Sequence, residues 1–203
     1  MDEFQNEALQ QGYVRVVGVD EAGRGPLAGP VVAAAVHIPL DLIIEGISDS
    51  KALSEKKRAA LYATLMEHKD VLVGVGVVNQ DRIDEVNILN ATFEAMNIAI
   101  SQIQGVDYAL IDGNRIPKEC PVPAKAIVKG DSKSPLIGAA SIIAKYTRDQ
   151  ITLEYAEKWP EYGFASHKGY PTKAHLEAVK EHGVLPIHRK TFGPIAALLE
   201  LQH

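Results

Sequence analysis

The order of apolar and polar positions predicts strands and helices that follow one another along the chain. Short apolar runs rich in β-branched residues are typical of buried strands and occur at 14–19, 29–38, 71–78, 106–111 and 124–128. Apolar residues at helical spacing predict helices over 55–68, 88–103, 132–158, 173–182 and from 194 onward, with helical turns over 80–86. A glycine-rich loop containing aromatic residues is predicted over 162–172. The pattern predicts an α/β fold with a mixed five-stranded sheet flanked by helices.

Length and composition favour one domain over residues 1–203. The 203 residues are 46% hydrophobic, enough for one well-filled core, and residues from about 160 to 203 form a C-terminal helical portion. The single cysteine, Cys120, excludes an internal disulfide. The acidic start of the chain has no features of a secretory signal, and no apolar run approaches the roughly 20 residues of a membrane span. We expect a soluble, cytoplasmic protein without a membrane partner.

Charge is distributed unevenly along the chain. The formal net charge is −5, yet residues 114–190 contain 13 Lys plus Arg against 8 Asp plus Glu. This stretch is therefore +5 and the remainder −10. Such asymmetry favours a basic face that binds a polyanion. Lysines that merely cover exposed helices are the alternative.

Acidic residues follow three predicted strands, each beside a glycine. Asp20 and Glu21 come after the first strand, Asp112 precedes Gly113, and Asp131 follows Gly130. Strand ends in one parallel or mixed sheet lie close together, so the four acids are expected at one edge. Side chains alternate along a strand, so Asp20 and Glu21 can share one spot only if the strand ends or bends there. Each acid alone is also compatible with a turn or a helix cap.

Four convergent carboxylates indicate divalent-metal chemistry. Like charges raise one another's pKa, and a cation keeps the carboxylates ionised. Carboxylate oxygens suit Mg²⁺ or Mn²⁺. Two such ions roughly 3.5–4 Å apart would activate a water and stabilise the leaving oxygen during phosphodiester cleavage. Asp20, Glu21 and Asp112 are the main candidate ligands, with Asp131 at the second metal.

Glycine and aromatic residues supply candidate substrate contacts. The backbone of Gly23-Arg24-Gly25 can approach a phosphate or sugar closely because two of its residues lack a Cβ. Tyr170 offers a flat face and a hydroxyl, although an aromatic residue in a loop is often part of the core. Basic residues that could contact phosphates are Lys51, Lys129, Lys145, Lys168 and Arg189. His167 and His188 are too isolated in the sequence to be assigned as ligands.

The string GVDEAGRGPLAGPVV at 18–32 closely resembles the signature of bacterial ribonuclease HII. Further segments resemble blocks of that family and follow in the family's order. They are DSK at 49–51, LIDG at 110–113, VKGDS at 128–132, AASIIAK at 139–145, SHKGYPT at 166–172 and HRKTF at 188–192. The resemblance covers the chain from about residue 13 to the last predicted helix.

This resemblance implies a ribonuclease H-like fold and a divalent-metal requirement. It implies hydrolysis of RNA in RNA–DNA hybrids and of single ribonucleotides in duplex DNA, cut on the 5′ side to leave 3′-hydroxyl and 5′-phosphate. The family's acids match Asp20, Glu21, Asp112 and Asp131. The Gly-Arg-Gly element with which the family recognises the ribose 2′-hydroxyl matches Gly23, Arg24 and Gly25. The family's substrate-recognition tyrosine matches Tyr170. A DNA-cleaving carboxylate nuclease of the same fold and a non-catalytic hybrid-binding module remain alternatives. We expect a monomer.

Overall fold

A computed structural model describes residues 2–47 and 53–200 and contains one five-stranded sheet. Its strands are β1 (Val16–Ala22), β2 (Val31–His37), β3 (Leu72–Val78), β4 (Tyr108–Asp112) and β5 (Ala124–Ile127). The order across the sheet is β3-β2-β1-β4-β5. β2 pairs antiparallel with β1 and β3, whereas β4 pairs parallel with β1 and β5. The predicted mixed five-stranded sheet is confirmed, and its parallel half brings the ends of β1 and β4 to the same edge.

The helices surround this sheet. They are α1 (Glu3–Gln10), α2 (Glu55–Glu67), α3 (Gln80–Ser101), α4 (Pro135–Lys158), α5 (Phe164–His167), α6 (Lys173–His182) and α7 (Gly193–Glu200). α3 is interrupted at Asn87, whose φ of 68° is not helical, so the predicted division near residue 87 is confirmed. None of the helices among the described residues is long and apolar enough to cross a membrane.

Side-chain alternation in β1 separates two hydrophobic layers. Val16 belongs to a core cluster that includes much of α4, whereas Val17 and Val19 belong to a cluster that includes α3. Gly18 lies directly against α4, since a Cβ there would be 2.2 Å from the carbonyl carbon of Leu136. The helices therefore cover both faces of the sheet, and this close contact fixes the start of α4 beside β1.

The C-terminal portion has a hydrophobic cluster of its own. Its buried members include Tyr162, Phe164, Val179 and Ile195, together with Leu27 from the segment between β1 and β2. The backbone joins the same two regions, because Ala28 forms an isolated antiparallel bridge with His188. The prediction of a loop over 162–172 is partly wrong, because local backbone hydrogen bonds form the short helix α5 within it.

Candidate active site

Asp20 and Glu21 lie inside β1. Asp20 pairs with Ala34 and Glu21 with Ala33 of β2, and the strand continues to Ala22. The prediction that the strand ends or bends before these acids is therefore wrong, because pairing with β2 keeps the backbone extended. Consecutive side chains of a strand point to opposite faces. Asp20 is only 5% exposed. Glu21 is half-buried, and its Oε1 lies 3.4 Å from Nη1 of the exposed Arg24.

Asp112 connects the end of β4 to the turn that contains Asp131. The backbone N–H groups of Gly130 and Asp131 both donate to Oδ1 of Asp112, at 2.6 Å and 3.4 Å. Asp131 is buried within the 3₁₀ turn Gly130–Ser132, which follows β5. Because β5 is parallel to β4, this turn lies at the same sheet edge as Asp112.

Burial and mutual repulsion raise the proton affinity of the acids in β1. The pKa of the Asp20 carboxyl is raised to about 7, chiefly by burial and next by the negative charge of Glu21, with a smaller contribution from Asp112. Burial also raises the pKa of Glu21, against the opposing effect of Arg24 and with a further rise from Asp112. Asp20, Glu21 and Asp112 therefore interact electrostatically at one sheet edge, and a bound cation would stabilise their ionised forms.

The donor chemistry of this edge fits a hard divalent cation. Carboxylate oxygens are preferred ligands of Mg²⁺ and Mn²⁺, and repulsion among buried acids is relieved by positive charge. Within residues 2–47 and 53–200, no three Asp, Glu, His or Cys side chains are grouped closely enough to form a ready-made metal site. The edge therefore supplies the oxygen donors and the negative potential, but not a closed ligand shell.

Gly25 and Tyr170 form one surface near these acids. Gly25 is exposed, and a Cβ added to it would lie 3.3 Å from Cε1 of Tyr170. The Tyr170 side chain is not part of the core, since the residue is 47% exposed. Gly23 is instead buried, with a φ of +94°. Of the two glycines, Gly25 is the one whose backbone is accessible.

Arg189 does not contact solvent. It is fully buried, and its guanidinium donates to the carbonyl oxygens of Gly23, Arg24, Gly29 and Pro30 at 2.6 to 3.1 Å. The prediction of a phosphate contact at Arg189 is therefore wrong, because folding of the C-terminal segment places its side chain under the glycine turn. Burial first, and then the neighbouring Arg148, lower the pKa of Arg189 to about 9, so it stays protonated at neutral pH.

The predicted lysines differ in their surroundings. Lys129 is exposed, and the Nζ of Lys168 lies 3.9 Å from Oε1 of Glu55. The Nζ of Lys145 donates to Oγ of Ser141 at 2.7 Å, within α4. Lys51 and the predicted segment around it lie outside the described residues. Of the predicted lysines that the structure describes, Lys129 is exposed, whereas Lys145 and Lys168 are half-buried.

A buried histidine cluster was not predicted from the sequence. The rings of His167 and His175 stack with centroids 4.4 Å apart, and Nε2 of His175 lies 3.0 Å from Nε2 of His188. The N–H of Leu185 donates to Nδ1 of His188. Neutral His188 therefore donates from Nε2 to His175, whose Nδ1–H donates to the carbonyl oxygen of Tyr170 at 3.0 Å. No local pattern marks this cluster, since its members are 8 and 13 positions apart.

An open groove adjoins the acids on the α3 side of the sheet. Glu21 and Asp112 line one part of it, Phe93 and Met96 supply apolar surface, and Arg115 supplies a positive charge. This combination suits part of a nucleotide chain, which presents flat apolar faces and anionic phosphates. The groove was also missed at the sequence level, because Phe93 and Met96 read only as core residues of a helix.

A mixed sheet in this order, with carboxylates at the edge shared by β1 and β4, defines the class of ribonuclease H-like nucleases. Solved structures support that assignment. The crystal structure of ribonuclease H2 from Pyrococcus horikoshii OT3 matches with a TM-score of 0.76 and 30% identity, over 93% of this chain and 98% of that one. The ribonuclease HII of Archaeoglobus fulgidus, solved as a complex with PCNA, matches with a TM-score of 0.72 and 26% identity, over 88% and 95% of the two chains.

Sequence comparisons specify the family within this class. The family model described as Ribonuclease HII matches residues 17–194. A ribonuclease HII of Chlamydia trachomatis serovar A is 53% identical over 193 residues, covering 95% of this chain and 88% of that protein. One from Clostridioides difficile (strain 630) is 53% identical over 190 residues, covering 93% and 74%. The chain belongs to the ribonuclease HII family, which confirms the resemblance found in its motifs.

Proposed function

We propose that this protein is a metal-dependent endonuclease that hydrolyses the RNA strand of RNA–DNA hybrids and single ribonucleotides embedded in duplex DNA. The cut lies on the 5′ side of the ribonucleotide and leaves 3′-hydroxyl and 5′-phosphate ends. The observation that carries the proposal is the placement of Asp20, Glu21 and Asp112 at the edge shared by the parallel strands β1 and β4, in a chain of the ribonuclease HII family.

Asp20, Glu21, Asp112 and Asp131 would hold the metal ions, Mn²⁺ or Mg²⁺. A divalent ion bound there supplies Lewis-acid stabilisation of phosphate oxygens and lowers the pKa of a bound water. The protein contributes the carboxylates and their positions. Asp112 accepts two backbone N–H groups from the turn that contains Asp131, which keeps that turn beside β4.

Substrate recognition is proposed for the surface formed by Gly25 and Tyr170. The 2′-hydroxyl distinguishes RNA from DNA at a given sugar, and both an exposed backbone and a tyrosine hydroxyl can hydrogen-bond to it. Gly23 completes the turn, while Arg24, Lys129 and Lys168 are proposed phosphate contacts, as is Lys51. Contacts to sugars and phosphates carry no base information, so we expect slight sequence specificity.

We further propose one catalytic domain that acts as a monomer in the cytoplasm, with residues from about 160 onward gripping the duplex. All four acids and the Gly25–Tyr170 surface come from one chain, which supports the monomer. The basic balance of residues 114–190 supports binding of a nucleic acid duplex.

The test is cleavage of an end-labelled DNA duplex that contains one ribonucleotide, beside an all-DNA duplex of the same sequence. Each is incubated with Mn²⁺, with Mg²⁺ and with a chelator. We expect one metal-dependent cut 5′ of the ribonucleotide, and Asp20→Asn is expected to bind the duplex without cutting it. Cutting of the all-DNA duplex would instead indicate a general carboxylate nuclease. Binding without cleavage by the wild-type protein would indicate a non-catalytic module.

A further inference from the structure

Two buried guanidinium groups lie beneath the turn that contains Gly23, Arg24 and Gly25. Arg148 is 3% exposed and Arg189 is 0% exposed. Among the described residues, neither forms an ion pair with a carboxylate. Burial of a charge is costly unless hydrogen bonds replace its hydration. Here backbone carbonyl oxygens accept those hydrogen bonds, so the two arginines and the backbone around them specify one another's positions.

Arg189 fixes the orientation of two peptide groups in the turn. Its Nη2 donates to the carbonyl oxygen of Gly23 at 2.6 Å, and its Nη1 donates to that of Arg24 at 3.0 Å. In a trans peptide the N–H points opposite to the carbonyl. Carbonyls that point inward to Arg189 therefore direct the N–H groups of Arg24 and Gly25 away from it. Successive N–H groups of this kind form a concave site for an anion or a hydroxyl oxygen.

Arg148 joins this segment to the loop that contains Tyr170. Its Nη1 donates to the carbonyl oxygen of Lys168 at 3.0 Å, while its Nη2 donates to that of Ala28 at 3.2 Å. The N–H of Leu27 also donates to the carbonyl oxygen of Gly169 at 2.8 Å. The two segments therefore share their supports, and any shift of Arg148 moves Tyr170 relative to the turn.

We propose that Arg189 and Arg148 are positioning residues that set the separation between the Gly25 backbone and the Tyr170 ring, and thereby the preference for ribose over deoxyribose. This inference rests on the proposed function of that surface. A 2′-hydroxyl can contact both the Gly25 backbone and the Tyr170 side chain only if the two are held at a fixed distance from each other. Neither arginine touches the sugar, so both act through the groups they hold.

The experiment compares Arg189→Lys and Arg148→Lys with the wild-type protein. Lysine keeps the positive charge but lacks the planar guanidinium with its several N–H groups. It therefore cannot donate at once to all the backbone carbonyl oxygens that accept from each arginine. Binding of a duplex with one ribonucleotide and of the all-DNA duplex is measured in chelator, and kcat and KM are measured with Mn²⁺. We expect each variant to lose about tenfold in the ratio of the two affinities, as expected from lost hydrogen bonds to a charged group. KM should change more than kcat.

A control separates positioning from general loss of stability. Ile100 is buried in α3, in the cluster that covers the other side of the sheet from α4. Ile100→Ala should lower the melting temperature yet keep the wild-type affinity ratio. The proposal is overturned if the arginine variants keep that ratio, or if Ile100→Ala loses it equally. If one arginine variant does not fold, the other decides the result. A wild-type protein that neither cuts nor prefers the ribonucleotide would refute the proposed function itself.

Discussion

Nε2 of His175 and Nε2 of His188 lie 3.0 Å apart in the buried histidine cluster, and the hydrogen bonds that the two rings form require both to be neutral. The Nδ1 of His188 already accepts from Leu185, and the Nδ1–H of His175 donates to the carbonyl oxygen of Tyr170. A proton added to His175 would place two N–H groups face to face. The neutral histidines therefore connect the segment of Leu185 and His188 to the backbone of Tyr170.

Acid should destabilise the protein through this pair. Burial, and next the charge of His175, lower the pKa of His188 to about 4, while burial lowers that of His175. Below pH 6.5 the unfolded chain binds protons that the folded one does not, so stability falls as the pH drops from about 6.5 toward 4. For His188 alone the loss is on the order of 2 kcal/mol at pH 5. Denaturant unfolding at several pH values measures it.

The matched variants are His188→Asn and His182→Asn. Asparagine at 188 can still accept from Leu185 but cannot be protonated, so the loss of stability between pH 7 and 5 should shrink. His182 is exposed at the end of α6, and its replacement should leave that slope as in the wild type. Equal slopes in all three proteins would show that the buried pair does not control acid stability.

Neutralisation of Asp20 should stabilise the metal-free protein. The pKa of this buried carboxyl is raised above its unfolded value, so its ionised form weakens folding at pH 8, where the carboxylate is charged. Asp20→Asn removes that cost and should increase the free energy of unfolding by on the order of 1–3 kcal/mol. Thermal melts in chelator at pH 8 measure the change. Asp84→Asn is the control and should be destabilising, because Asp84 accepts from the N–H groups of Lys190 and Thr191.

Bound metal should make the wild-type protein more stable than Asp20→Asn, the reverse of the order expected in chelator. A ligand that binds only the folded state raises its stability by mass action. Added Mn²⁺ should therefore raise the melting temperature of the wild-type protein and have much less effect on Asp20→Asn. An equal rise in both would remove Asp20 from the metal site, whatever its effect on cleavage.

The strands and helices could be predicted because their signals are local. Val17 and Val19 indicate a buried strand. Thr172 caps the start of α6 and Gly183 follows its end, so both bounds of this helix have a local signal. The prediction for Asp20 and Glu21 failed at the strand end, because polar residues before a glycine are typical of a turn, whereas pairing with Ala34 and Ala33 of β2 extends the strand to Ala22. Arg189 was misassigned for a similar reason. The charge of Arg189 predicts a contact with phosphate at the surface. Only the tertiary fold places backbone carbonyl oxygens around it.

Removal of the Tyr170 ring should weaken cleavage without loss of stability. The residue is 47% exposed and its ring lies beside Gly25, so little core packing depends on it. Tyr170→Ala should reduce kcat/KM on a single embedded ribonucleotide about tenfold or more, with an unchanged melting temperature. Tyr170→Phe separates the ring from the hydroxyl. If the hydroxyl binds the 2′-oxygen, the Phe variant should resemble the Ala variant. Wild-type rates in both variants would exclude a role in recognition.

Gly23 should tolerate no side chain, for two reasons that a matched glycine separates. Its φ is +94°, and a Cβ would lie 2.2 Å from Nε of Arg148. Gly12 has nearly the same φ of +96° with nothing within 4 Å, so Gly12→Ala measures backbone strain alone, about 1 kcal/mol. Gly23→Ala adds the displacement of a buried guanidinium and should cost about 3 kcal/mol. Denaturant unfolding gives both values.

Because Arg148 also donates to the carbonyl oxygen of Lys168, Gly23→Ala should in addition lower the preference for ribose, whereas Gly12→Ala should not. Equal destabilisation by the two substitutions would mean that Arg148 moves aside at no cost, so it does not hold this turn in place.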